Sequence, residues 1–279
     1  MKLQSCLALA ALAAFSTANA QTQSSVQSAA RPYNLDIGGT VMVSGSDAAA
    51  TTFNSTALAD FMAIAETRLN ETKAAKDLDA IRIDPTKLTL GYDTAIRVYF
   101  VGEGAGYRNS LGISTTGGTP NSADAELVFP DASSNLSSVG GNGTSVRNST
   151  APLLPGDFVD LGVFAAGTKL DFFLIANGAL GGNRGEVYST TDSVNRDGLT
   201  HAVSLAPDGS PYLLLSFEDL FGGGDEDYND VVFAIQLGTA NISHLQEFSK
   251  LSAPEPSMAI GALLGCGVFL GTSRRRRRM

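Results

Sequence analysis

Between Ala95 and Leu237 the chain repeatedly offers a short apolar segment rich in β-branched and aromatic residues, closed each time by Gly, Asn, Asp or Pro. Residues 95–101, 126–129, 158–164, 169–176, 212–217 and 231–237 fit this description. Short strands punctuated by such turns point to an antiparallel β-sandwich. Upstream, residues 35–43 read as a first strand broken at Gly38-Gly39. The pattern then changes over residues 56–80, where Leu58, Phe61, Met62, Ala65 and Leu69 recur at helical spacing, with Asp60, Glu66, Arg68 and Glu71 elsewhere. Ser55 or Thr56 is the expected cap of that helix. The expected fold is therefore mainly β, an antiparallel β-sandwich with one amphipathic α-helix packed on it. Residues 131–151, DASSNLSSVGGNGTSVRNSTA, read as a flexible excursion from the sandwich.

The densest polar feature lies between the last two strands, in Phe217-Glu-Asp-Leu-Phe-Gly-Gly-Gly-Asp-Glu-Asp-Tyr-Asn-Asp-Val-Val-Phe233. A strand-to-strand loop here presents Asp225, Asp227, Asn229 and Asp230, with Glu218 and Asp219 at its mouth. Carboxylates gathered this closely repel one another unless a hard cation neutralises them, and Asp, Asn and loop carbonyl oxygens suit Ca²⁺. Asp225, Asp227 and Asp230 are the leading candidate calcium ligands, followed by Asn229, Glu218 and Asp219. The competing reading is that Asp, Asn and Gly are ordinary turn residues whose acids face water or cap amides. Asp225, Asp227 and Asn229 occupy positions 1, 3 and 5 of an EF-hand loop, but Asp230 stands where that loop needs Gly and Gln236 where it needs Glu. A strand comes next instead of a helix, so the loop is not an EF-hand.

The FEDLFGGGDEDYNDVVF stretch resembles the signature of the bacterial domain of unknown function 4114. Similar pieces are residues 102–112 (GEGAGYRNSLG), 154–157 (LPGD), 172–178 (FFLIANG) and 195–198 (NRDG) followed by His201. The likeness spans roughly residues 95–237. It implies an exported β-sandwich module of the kind found in large surface or matrix proteins, and it carries no established activity. Arg196 stands where Pro is expected in that family's pattern. Glu103, Tyr107, Arg108 and Asn109 form a second polar set in a Gly-rich turn. Either they order that turn or they approach the acidic loop, with Arg108 paired to one of its carboxylates.

Both ends of the chain carry targeting features. Residues 1–20 combine Lys2, an apolar run over residues 7–15 and Ala18-Asn19-Ala20, the pattern of a secretory signal peptide cleaved after Ala20. A polar linker, 21–32, leads into the ectodomain, 33–238, and residues 239–253 read as a spacer. Then come Pro254-Glu255-Pro256, an apolar stretch over 258–273 expected as a transmembrane helix, and Arg274 to Arg278. The stretch is slightly short for a span, but arginines snorkel and fix the end on the cytoplasmic side. This tail, 254–279, resembles the PEP-CTERM sorting signal. The resemblance implies a transient inner-membrane anchor, processing by an exosortase-type enzyme, and deployment at the cell surface or outside it beside extracellular polysaccharide.

Charge narrows the partners. The chain has 19 basic and 28 acidic residues; setting aside Lys2 and the five tail arginines leaves 13 basic residues and an ectodomain near −15. Such a surface repels phosphate backbones, so nucleic acid is not an expected partner, and cations are. Of the two cysteines, Cys6 lies in the signal peptide and Cys266 in the tail, so no disulfide is expected in the ectodomain. Catalytic motifs are lacking: there is no GxSxG elbow, no HExxH, and the histidines are His201 and His244 alone. Three functions stay open. They are a calcium-supported structural or adhesive surface module, a Ca²⁺-dependent carbohydrate-binding module, and a carboxylate-based polysaccharide hydrolase; the first is preferred, as a non-enzyme.

Overall fold

The computed structural model describes residues 26–69, 81–136, 146–183 and 185–249. The expected signal peptide, the end of the expected helix, the middle of the 131–151 excursion and the whole of the expected sorting tail lie outside these residues. In chain order the strands are β1 (Val41–Met42), β2 (Arg82–Ile83), β3 (Thr94–Gly102), β4 (Ser110–Ser114), β5 (Glu126–Phe129), β6 (Phe158–Phe164), β7 (Asp171–Ile175), β8 (Val187–Ser189), β9 (Ala202–Leu205), β10 (Tyr212–Phe217) and β11 (Val231–Gln236). They form a seven-stranded sheet, β1-β6-β3-β11-β10-β9-β2, and a four-stranded sheet, β5-β4-β7-β8. Every strand pair in both is antiparallel.

The central strands of the larger sheet are covered on both faces. Val98 and Phe100, Leu213, Leu215 and Phe217, and Val231, Phe233 and Ile235 join Leu111, Phe172 and Leu174 of the smaller sheet in one core. Phe172 meets Phe233 at 5.2 Å between ring centroids, and Phe100 meets Phe129 edge-on at 6.1 Å. The alternate residues Tyr99, Val101, Leu214, Val232 and Ala234 turn the other way, against Phe53, Phe61, Ala65 and Leu69. Burial on both faces explains why YLLLSF and VVFAI read as nearly continuous apolar runs rather than as alternating strands.

The helix on that second face begins earlier than the sequence suggests. It runs as α1 (Ala48–Phe53), a wide turn over Asn54–Leu58, and α2 (Ala59–Arg68), with right-handed backbone at each junction. Its cap is Asp47, whose Oδ1 accepts the Ala50 N–H at 2.7 Å. Ser55 and Thr56 lie inside the helix, donating their hydroxyls back to the Thr52 carbonyl. The apolar stripe holds: Phe61, Ala65 and Leu69 are buried, and Leu58 and Met62 pack beside them. Phe53 extends the stripe by stacking on Tyr99 at 3.9 Å.

A second helix, α3 (Gly238–Phe248), occupies most of the segment read as a spacer. Ile242 and Leu245, one helical turn apart, enter the main core. Asn241 is buried at its centre; its Oδ1 accepts the N–H groups of Gly91 and Tyr92, and its Nδ2 donates to the Tyr92 and Leu237 carbonyls. The fold thus reaches to Ser249. The excursion at 131–151 also starts inside the domain, since Asp131, Ala132, Ser133 and Ser134 are buried. Among the described residues no helix is long and apolar enough to cross a membrane.

Candidate metal centre

Strand register brings the site together. β10 and β11 pair from Tyr212–Gln236 up to Phe217–Val231, so residues 218–230 form the loop of one hairpin. Phe217 faces Ala202 on β9, and Val232 faces Gly102 on β3. The segments next to β9 and β3 must therefore flank the acidic loop. Both bonds are made: the Glu218 N–H donates to the His201 carbonyl at 3.0 Å, and the Gly104 N–H donates to the Asn229 carbonyl at 3.0 Å. Asn109, just before the smaller sheet's β4, closes a third side by donating to Asp219 Oδ2 at 2.6 Å.

Inside the loop the backbone turns sharply. Gly222, Gly223 and Gly224 all have positive φ, and so do Glu226 (58°) and Tyr228 (52°). Gly224 has a second reason to be glycine, because a Cβ there would collide with Glu218 Oε1. Left-handed backbone at two non-glycine residues is locally unfavourable and persists only where surrounding contacts hold it. For Tyr228 one such contact is its hydroxyl, which donates to the Thr200 carbonyl at 3.1 Å.

The carboxylates are packed around a buried centre. Glu218 is fully buried, Asp219 nearly so at 4%, and Asp225 is exposed. Glu218 Oε1 accepts the Leu220 N–H at 2.9 Å, whereas Oε2 is buried with no hydrogen-bond partner among the described residues. Asp230 Oδ2 accepts the Asp219 N–H at 2.7 Å. Oxygens of Glu218, Asp219 and Asp230 lie within 4.8 Å of one another, as do those of Glu218, Asp225 and Asp227. Burial, reinforced by the neighbouring aspartates, pushes Glu218 up to about 7 and Asp230 up to about 9. Asp219 and Asp227 are raised for the same reasons. Arg97, Arg108, Arg147, Lys169 and Arg196 pair with other carboxylates, and among the described residues none of them makes an ion pair with this cluster.

Each residue singled out in the sequence has a definite place. Glu218, Asp219, Asp225, Asp227 and Asp230 converge. Asn229 is buried beside them, but its Nδ2 donates to Asp227 Oδ2 at 2.7 Å, so it orients a candidate ligand. Glu218 belongs to both oxygen sets and is the hub of the cluster. Of the 103–109 turn, Asn109 reaches the loop, and Glu103 is pushed up to about 7 by burial, with the charges of Asp131 and Asp219 adding. Arg108 does not pair with the loop; it binds Asp131 and the Ser149 carbonyl.

The 195–201 segment supplies a strut the sequence does not announce. Asp197 Oδ2 accepts the Gly222 N–H at 2.8 Å and meets His201 Nε2 at 2.9 Å. His201 Nδ1 faces the Glu218 carbonyl at 3.2 Å, and the ring stacks on Tyr188 at 4.0 Å. These bonds hold Asp197 down to about 2 against the opposing effect of its burial. His201 thus braces the loop from beneath, with both ring nitrogens turned to oxygen acceptors.

Beside the loop lies an open groove of about 670 Å³, lined by Tyr107, Asn177, Glu186, Tyr188, Asp219 and Phe221 among others. Residues 164–238 match the family model of a domain of unknown function (DUF4114). The match takes in β7 to β11 with the acidic loop and the Asp197–His201 strut, whereas Glu103 and Asn109 precede it. No curated protein and no solved structure matches the chain.

Proposed function

We propose that this chain is a calcium-dependent structural module of the cell surface or extracellular matrix. In this reading the metal locks the β10–β11 loop to the 103–109 turn and the 195–201 segment. The observation that carries it is Glu218: a fully buried carboxylate grouped with four aspartates that has, among the described residues, one oxygen unpartnered and no ion pair to a basic side chain. Left as it is, such a group costs several kcal/mol in desolvation and repulsion. A hard cation ligated by oxygen removes both penalties. Crowding of the carboxylates favours this role over glycoside hydrolysis, which needs an acid and a second carboxylate roughly 5–9.5 Å apart across a sugar.

Export follows from the leader at residues 1–20, and surface delivery from the PEP-CTERM-like tail at 254–279, where an exosortase-type enzyme acts and the inner membrane is a transient anchor. Extracellular polysaccharide is the expected surroundings. Calcium is plentiful there, and extracellular modules bind it at about 10⁻⁴–10⁻³ M. Thermal denaturation with and without CaCl₂ tests the metal. At a hundredfold excess over Kd the gain is about 2.7 kcal/mol, or roughly 5–10 °C for a domain of this size. A midpoint unmoved by calcium and by EDTA refutes the reading. Mass spectrometry of the released protein tests the tail: a species still carrying Arg274 to Arg278 refutes processing.

The groove favours a second reading, a Ca²⁺-dependent carbohydrate-binding module. Tyr107 and Phe221 are exposed aromatic rings on its wall, with Asn177 and Glu186 supplying polar groups next to the metal loop. Glycan binding that disappears with EDTA and in Tyr107→Ala/Phe221→Ala supports it. Retention of binding in both conditions excludes it.

A further inference from the structure

The carboxylate oxygens around Glu218 fall into two sets. Glu218, Asp219 and Asp230 make an inner set and Glu218, Asp225 and Asp227 an outer set, each with oxygens within 4.8 Å of one another. Calcium binds oxygen at about 2.3–2.6 Å, so two ligands of one ion lie at most roughly 4.6–5.2 Å apart. Each set therefore matches the sphere of a single ion, and Glu218 is the residue common to both.

We propose that the loop binds two calcium ions, bridged by the Glu218 carboxylate, the inner one structural and the outer one exchangeable. This inference rests on the calcium reading above and adds its stoichiometry and division of labour. Beside the two oxygen sets stands the unpartnered oxygen that also carries the calcium reading: Glu218 Oε2 is fully buried and is not satisfied by any donor among the described residues. Charge gives the same count. Five carboxylates carry five negative charges when ionised; one divalent ion leaves three of them uncompensated at close range, and two leave one.

The two positions differ in what holds their ligands. On the inner side Asp219 is fixed by Asn109 and Asp230 by the Asp219 N–H, and Asp219 is almost wholly buried. Preorganised ligands away from water release an ion slowly. On the outer side Asp225 is exposed and Asp227 half-buried, with Asn229 holding the latter. Water completes that shell, so its ion exchanges with the surroundings and its occupancy follows external calcium. Gly224 leaves room for the bridging carboxylate, since a Cβ there would press onto Glu218 Oε1.

Equilibrium dialysis of the full chain, detergent-solubilised and stripped with chelator, against CaCl₂ decides the matter. Wild type is expected to hold two ions per chain in two affinity phases. Asp225→Asn/Asp227→Asn is expected to hold one and to keep most of the calcium-dependent rise in melting temperature. Glu218→Gln is expected to lose both. Because Glu218→Gln risks misfolding, wild type loaded with terbium and europium provides a check free of mutation: ions bridged by one carboxylate transfer energy almost completely. One ion per wild-type chain, or no transfer between lanthanides, overturns the two-ion site while leaving a single calcium in place. No bound calcium at all overturns the calcium reading itself.

Discussion

Asn109 and Asp219 join the two sheets at the acidic end of the domain, with the Asn109 amide donating to the Asp219 carboxylate at 2.6 Å. The same Asn109 side chain accepts the Asn177 N–H at 3.1 Å through Oδ1. One buried amide thus ties the β10–β11 loop to β4 and to the end of β7. A hydrogen bond to a charged group contributes about 1.5–3 kcal/mol, and its removal leaves Asp219 less well aimed. Asn109→Ala is expected to lower the denaturation midpoint and to weaken calcium binding together. Loss of stability with calcium affinity unchanged would mean that Asn109 supports the sheets but not the loop.

Gly224 and Gly222 give a matched pair of tests. Both have positive φ, so alanine at either strains the backbone at a cost of about 1 kcal/mol. Only at Gly224 does the added Cβ run into Glu218 Oε1; at Gly222 there is open space. Gly224→Ala is expected to reduce calcium affinity at least tenfold, whereas Gly222→Ala lowers stability slightly and leaves affinity within about twofold. Isothermal titration of both variants distinguishes a steric effect at the centre from general loosening of the loop.

The loop carboxylates give the metal-free protein a characteristic pH dependence. A carboxyl whose folded pKa is raised binds more protons folded than unfolded, so its stabilising contribution is present below the unfolded value, near 4, and fades as pH rises. Glu218 and Glu103 set the first part of the window, through about 7, and Asp230 extends it to about 9. In EDTA the melting temperature is expected to fall steadily from pH 5 to pH 9. With calcium in excess the ionised carboxylates are ligands, so the decline flattens. Parallel curves with and without calcium would count against metal at these groups.

Much of the fold is legible in the residues, and the exceptions have physical causes. Turn chemistry and apolar runs locate the main strands, because a run such as YLLLSF is too short for a buried helix and is bounded by turn residues on both sides. The acidic loop is visible as composition. Its hub is not, since Glu218 looks like one more carboxylate until strand pairing places it beneath the glycines. The helix start is obscured because Asp47 precedes an AAATTF stretch with little polarity contrast, whereas Ser55 and Thr56 resemble caps. α3 reads as a spacer because it stands between the last strand and the stretch expected as a sorting tail, although Ile242 and Leu245 already sit one turn apart. The Asp197–His201 strut depends on β9 lying beside β10. Residues 195–201 are far from the loop in sequence and adjacent only in the sheet.

Arg97 provides a test of stability away from the metal. Its guanidinium donates to both oxygens of Asp47, the cap of α1, and to both oxygens of Asp160 on β6, while lying 4.0 Å above the Phe158 ring. The two aspartates are substantially solvent-exposed, which screens the attraction, but the bidentate geometry and the ring contact keep the group ordered. Arg97→Met retains much of the apolar stem and removes the charge, at an expected cost of about 1–2 kcal/mol. The helix anchored by Asp47 covers Tyr99 and Tyr212, so that loss loosens the face opposite the smaller sheet. Its measure is the denaturation midpoint with calcium and with EDTA. Equal shifts in the two conditions are expected, since Arg97 touches none of the loop residues; a shift confined to the calcium-loaded protein would show that the helical face and the acidic loop are energetically coupled.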